Sequence, residues 1–189
     1  MSASNTTRHL AVRMLCEGAI MLALGLILSN LPLYRLPNGG SVSLDMLPIL
    51  FFAVRWGVKP GLAVGLIFGV LQIFTEGAIA WGWQSLLLDF VVAFTPLGLA
   101  GLFRGKSWGI FAGTILGGGA RFVVHFISGV TIYAILVPTE LFERTYTSPA
   151  LYSLVYNGSY MLIDIILCLV LFGLLRRPLR KFFMAEDLR

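Results

Sequence analysis

Charge is scarce in this chain. Only 12% of its 189 residues are Asp, Glu, Lys or Arg, whereas a soluble domain carries about a quarter. The longest polar stretches are short termini and loops, which excludes a soluble domain. Cysteine is nearly absent. Cys16 and Cys168 both lie in apolar segments, a pattern of small buried thiols and not of a disulfide or metal site. Histidine is equally rare: His9 belongs to the N-terminal tail, which leaves His125. No His-x-x-x-His pair and no paired intramembrane acids appear, so the sequence offers no metal cluster and no catalytic constellation. An enzyme is disfavoured on that ground.

What is present is hydrophobic, at 58% of the residues. Six apolar segments recur along the chain: Leu10–Leu31, Leu44–Trp56, Gly61–Thr75, Ser85–Phe103, Trp108–Val137 and Leu151–Leu175. The class is an all-α polytopic membrane protein, a single domain over residues 1–189 with six transmembrane helices. The second and third segments are shorter than the about 20 residues that cross hydrocarbon. The fifth is long, and Gly117–Gly119 mark a place where it could bend. The first lacks a small-residue cleavage pattern and reads as a retained span.

The loops alternate in charge. One set holds Arg8, Arg13, Arg55, Lys59, Arg104, Lys106, Arg176, Arg177, Arg180 and Lys181. The other holds only Arg35 and Arg144, among Asp45, Glu76, Glu140 and Glu143. The excess of Lys and Arg on one side predicts both termini in the cytoplasm. The net charge of +5 therefore reflects topology and not nucleic-acid binding. The outer loops, with Pro32, Pro37, Gly39, Gly40, Trp81, Trp83, Pro138 and Pro149, read as structured and lid-like.

Against this background three carboxylates fall inside apolar runs: Glu17, Asp89 and Asp164. Each needs a partner, a water cavity or a ligand, because an ionised group in hydrocarbon is costly. Asp89 has no Lys or Arg within a helical turn or two, so it is a candidate to receive an external cation. Arg121 and His125, four apart, share a helix face, and Arg121 is expected to pair with Asp164. Tyr133, Tyr152 and Asn157 lie at a depth similar to that of His125. Asn157 opens a sequon but reads as a polar lining residue, donor and acceptor at once.

Two further patterns carry less. Ala100–Ser107 matches a relaxed phosphate-loop pattern, but a membrane helix end is not the strand–loop–helix context that chemistry needs. The chain has no ATPase of its own. Ala19-x-x-x-Ala23, with Gly18 and Gly25, gives the first segment a small-residue face, for internal packing or for docking a membrane partner. The outer aromatics, such as Tyr34, Trp83 and Tyr146, read as interface anchors, and a subset could stack a flat cation.

Four blocks are similar to a known family: GGSVSLDMLP (39–48), LLLDFVVAFTPLGLAGLF (86–103), RFVVHFISG (121–129) and LYSLVYNG (151–158). Together they resemble the thiamine-specific S-component of energy-coupling-factor vitamin transporters, over nearly the whole chain. The resemblance implies a six-helix thiamine-binding subunit in the bacterial plasma membrane. It would work with a transmembrane coupling protein and two ATPase subunits, with no cofactor of its own and ATP used only by those partners. It implies ligand contacts at Asp89, His125, Gly129, Tyr133, Tyr152, Asn157 and Phe68, and docking of the coupling protein at Ala19 and Ala23. Some members have Glu-Tyr where this chain has Asp89-Phe90, and a Tyr where it has Ile79. Two alternatives remain at this stage: an S-component for a related pyrimidine or thiamine precursor, and a membrane-embedded enzyme.

Overall fold

The computed structural model describes residues 3–36, 39–76, 82–133 and 139–188, with the side chains of residues 3–7, 133 and 139 outside that description. Among the described residues five helices are long and apolar enough to cross a membrane. They are α1 (Ala3–Asn30), α3 (Val58–Glu76), α4 (Trp83–Phe103), α5 (Gly109–Tyr133) and α6 (Pro149–Leu175). Between α1 and α3 lie a two-stranded hairpin, β1 (Tyr34–Arg35) with β2 (Ser41–Val42), and a short helix α2 (Met46–Trp56). A second hairpin, β3 (Thr139–Leu141) with β4 (Arg144–Tyr146), precedes α6. The chain closes with α7 (Arg180–Phe183) and a 3₁₀ turn, Glu186–Leu188.

The short second segment has a physical explanation. α2 is 11 residues long, about half of what a span requires. It is the inner helix of the bundle: Met46, Ile49, Leu50, Phe52, Ala53 and Val54 are at most 2% exposed. Its neighbours shield it from lipid, so its length need not match the bilayer. The third segment is longer than its apolar run suggested, because α3 begins directly after the break at Gly57 (φ +98°). α5 continues unbroken through Gly117–Gly119. Gly117 admits Leu50 and Gly118 admits Ile165 to close contact, so the expected bend is replaced by packing at those two positions.

A glycine ridge on α3 determines how α4 sits. Gly61, Gly65 and Gly69 recur every four residues and so share one face. A Cβ at Gly65 would strike the Phe94 carbonyl, and one at Gly69 the Phe90 carbonyl. Gly98 on α4 answers from the other side, against the backbone of Gly61 and Leu62. Such small-residue seams let membrane helices approach backbone to backbone. α4 itself is not a regular helix: Leu86–Val92 is π-helical and Thr95–Phe103 is 3₁₀. π-Helical turns within helices gather at functional sites, and this one contains Asp89.

The outer surface is apolar. Leu15, Ile20, Phe74, Ile115, Leu162 and Leu174 are all 59% exposed or more, as expected of lipid-facing side chains. Several polar groups inside the apolar bundle are paired. Glu17 is held by Arg13, Arg55 and Trp56. The expected pairing of Arg121 with Asp164 is corrected. Arg121 Nη1 donates to Asp45 Oδ1 at 3.2 Å, while Asp164 Oδ1 accepts the Ser43 N–H at 2.9 Å. Ser43 and Asp45 lie on the segment that leads from the first hairpin into α2. Both carboxylates therefore tie that hairpin to α5 and α6.

Candidate functional site

The site is a cleft between the first hairpin and helices α3, α4, α5 and α6, open on one side to solvent. Asp89, His125, Gly129 and Asn157 all line it. They come from three helices and four separate turns, and the fold brings them to one place.

Asp89 is the anionic centre. Its Oδ2 accepts the Ser85 hydroxyl at 2.6 Å, and its Oδ1 lies 3.2 Å from His125 Nδ1. Ser85 and Asp89 are one turn apart on α4. A carboxylate can only accept, so an ionised Asp89 places the His125 proton on Nδ1. The other ring nitrogen of a neutral imidazole is then an acceptor. That atom, Nε2, is buried with no hydrogen-bond partner among the described residues. Neither Ser85 nor a neutral His125 is a permanent cation. The fixed cation of the cleft wall, Arg121, is committed to Asp45 and stacks on the Phe94 ring at 3.9 Å.

Asn157 is held more tightly than its sequence context suggests. Its Nδ2 donates to the His125 carbonyl, the Ser153 carbonyl and Ser153 Oγ at 3.0–3.2 Å. Its Oδ1 accepts the Tyr160 hydroxyl at 2.9 Å. Both amide hydrogens are therefore engaged, and one acceptor position on Oδ1 remains for a ligand. Gly129 makes this possible. A Cβ there would run into Ser153 Oγ and sit 3.1 Å from Asn157 Nδ2. Glycine at this position lets α6 approach α5 closely enough for the amide to reach the His125 carbonyl.

Two expected ligand residues are not on the wall. Phe68 is fully buried under α1, with its ring beneath Gly25 and 4.8 Å from the Phe94 ring centroid in an edge contact. It supports Phe94, which does line the cleft. Tyr152 is also fully buried; its ring stacks on Tyr156 at 5.7 Å and 9°. Tyr156 faces the cleft, as does Tyr160, and the Tyr156 hydroxyl accepts the Gly40 N–H at 2.7 Å. The Tyr133 side chain lies outside the described residues, as do Pro37, Ile79, Trp81 and Pro138. Trp83 is described and is 72% exposed.

The cleft also contains residues that the sequence did not single out. Tyr156 and Tyr160 follow Tyr152 at intervals of four, a spacing that puts all three on one face of α6. Gln72 and Glu76, one turn apart, enter from α3, and Gly40 and Ser41 from the hairpin. The i, i+4 tyrosine ladder was visible in the sequence. The hairpin contribution was not, because it depends on the fold-back of β1 on β2. As a whole the site offers two carboxylates, Asp89 and Glu76, that no Lys or Arg pairs among the described residues, with aromatic faces and directional groups on His125 and Asn157. That set suits a flat, cationic, hydrogen-bonding small molecule.

A family profile described as "Thiamine transporter protein (Thia_YuaJ)" matches residues 15–184. The chain is 35% identical to thiamine transporter ThiT of Bacillus subtilis strain 168, over 85% of this chain and 88% of that protein. It is 29% identical to ThiT of Lacticaseibacillus paracasei, over 95% of this chain and 94% of that protein. The solved structure of ThiT from Listeria monocytogenes superposes with a TM-score of 0.79 over 92% of this chain and 98% of that one. At 24% identity that likeness speaks to the fold. With five long apolar helices, a charged cleft between them and a profile match over most of its length, this chain belongs to the thiamine transporter protein family.

Proposed function

We propose that this chain binds thiamine and mediates its uptake across the bacterial plasma membrane. In this reading it is the substrate-specific subunit of an energy-coupling-factor transporter. The observation that carries the reading is Asp89: a carboxylate on the cleft wall whose partners are a hydroxyl and an imidazole, not a guanidinium or ammonium. Thiamine brings a permanent cation, the thiazolium, which a carboxylate attracts more strongly in a low-dielectric site than in water. The amino group of its pyrimidine is a donor for His125 Nε2 and for the remaining lone pair of Asn157. Tyr156, Tyr160 and Phe94 supply aromatic surface.

The energy comes from elsewhere. A transmembrane coupling protein and two ATPase subunits would drive the cycle, with ATP used only there and no cofactor in this chain. Ala19 and Ala23 are exposed on α1, whereas Gly18 and Gly25 face inward onto Phe52 and Phe68. This division supports a docking role for the alanines and a packing role for the glycines. The loop charges favour both termini in the cytoplasm, with α2 counted as the sixth, incomplete segment. Equilibrium titration of the purified protein with labelled thiamine tests the proposal. Saturable binding competed by unlabelled thiamine supports it, and absence of binding sinks it. Equal competition by the isolated aminopyrimidine would reassign the ligand to a precursor.

A further inference from the structure

The densest cluster of charged groups lies away from the cleft, where the two ends of the chain meet. Arg55, on α2, is 1% exposed and satisfies two acids at once. Its Nε and Nη2 donate to Glu17 of α1 at 2.6 and 3.0 Å. Its Nη1 and Nη2 donate to Asp187 of the final turn at 2.7 and 2.9 Å, and Nη1 also reaches the Phe182 carbonyl at 3.4 Å. All five guanidinium hydrogens therefore have acceptors. Arg13 joins from α1, bonded to both Glu17 and Asp187, and Trp56 Nε1 adds a bond to Glu17 at 2.7 Å. The turn is anchored independently by apolar contacts. Phe183 is 3% exposed and packs edge-on against Phe51 and Phe172, and the Phe182 ring lies 5.0 Å from the Arg55 guanidinium.

α1 needs such a tie. It is the least embedded of the five long helices, with 11% of its apolar window buried against 28–39% in the others. It packs on α2 and α3, where Gly18 and Gly25 rest against Phe52 and Phe68. Those contacts are apolar and carry no directional bond. A bidentate ion pair has direction, and it resists rotation. Glu17 lies two residues before Ala19 and so on the opposite, inward side of α1; fixing its direction fixes the direction in which Ala19 and Ala23 point outward.

We propose that the C-terminal turn Glu186–Leu188 is a clasp that sets the rotation of α1 against α2, with Asp187 and Arg55 as positioning residues for partner docking and not for ligand binding. The inference rests on the reading of α1 as the docking helix. Asp187 makes no contact with the cleft, so its removal separates the two functions. The native chain also carries its own reporter: Cys16 is exposed on α1 and Cys168 is buried, so a nitroxide attaches at one place.

The test compares the full-length wild type, Asp187→Ala and Asp187→Glu in three measurements: thiamine binding by the purified subunit, thiamine uptake in cells that supply the coupling subunits, and the spectral mobility of the Cys16 nitroxide. In Asp187→Ala, thiamine affinity should stay within about threefold of wild type while uptake per folded subunit falls about tenfold or more and the nitroxide line sharpens. Asp187→Glu, which keeps the charge, should restore most of the uptake and the wild-type line. Uptake at the wild-type level, an unchanged nitroxide line, or loss of binding in parallel with uptake would each overturn the clasp. If Asp187→Ala does not purify folded, Asp187→Asn carries the same three readouts. A wild type that binds no thiamine would instead sink the thiamine reading, while the nitroxide still decides whether the clasp holds α1.

Discussion

Asp89 shows how a single side chain can serve a membrane protein without a fixed counter-charge. Ser85 and His125 solvate it, and both are groups that can adjust as a cation enters. Asp89→Asn keeps the shape and removes the charge. Thiamine affinity is expected to fall by about 1.5–3 kcal/mol, the range of a hydrogen bond to a charged group. A neutral thiamine analogue that lacks the ring charge should lose far less. Calorimetric titration of both variants with both ligands measures this, and equal thiamine affinity of the two proteins would refute it. If Asp89 mattered only as a structural partner of His125, the substitution would lower the yield of folded protein and leave the surviving fraction binding normally. Arg121 illustrates the opposite arrangement: a buried cation paired with the Asp45 carboxylate and stacked on Phe94, and thereby withdrawn from the ligand.

At the scale of elements, α1 divides its small residues between two faces. Glycines face the core, and alanines face outward. Enlarging Ala19 and Ala23 together to Leu should leave thiamine binding intact in the purified subunit and block uptake, because added bulk prevents close helix approach. Loss of binding would show instead that those positions face inward. The final turn adds a pH dependence. Hydrogen bonds from Arg55, reinforced by Arg13, hold the Asp187 carboxyl well below the ordinary carboxylate range, against the opposing effect of burial. A carboxyl depressed in the folded state stabilises it fully above its unfolded value of about 4 and loses that contribution as the pH falls further. The Cys16 nitroxide should therefore stay immobile at pH 5 and become mobile in more acidic buffer. Asp187→Asn should remove that part of the acid transition, and a transition of unchanged size in the variant would refute the assignment.

The described part of the molecule is an inverted globule: apolar outside, with ion pairs in the interior at Arg121–Asp45 and at one end around Arg55. Both ends of the chain meet at the Arg13–Asp187 contact, so the beginning of α1 and the final turn lie on the same side. Positive loop charge favours the cytoplasm for that side. A cysteine introduced at Gly105, in the turn between α4 and α5, should accordingly react with a membrane-impermeant maleimide only after the cytoplasmic face is opened. Labelling from outside intact cells would reverse the topology. The cleft, bounded by the first hairpin, would then open toward the cytoplasm instead of the exterior.

Much of this protein was legible in its sequence, because hydropathy is local and additive. The apolar segments, the charge asymmetry of the loops and the intramembrane acids follow from composition alone, and helical spacing places Arg121 and His125 on one face. Blocks of residues pointed to the family, and Asp89, His125, Gly129 and Asn157 do meet around one cleft. Tertiary structure decided what each group is bonded to. Arg121 is paired with a carboxylate 76 positions away and not with the acid of α6, and Arg55 joins residues 38 and 132 positions distant. Tyr152 lies behind Tyr156, between it and Tyr146 of the second hairpin, while Tyr156 meets the first hairpin at Gly40. Phe68 lies beneath α1 because Gly25 leaves room for its ring. These outcomes depend on which helix faces pack together. That choice is made by summed contacts between distant segments, and no local window of the sequence carries that sum.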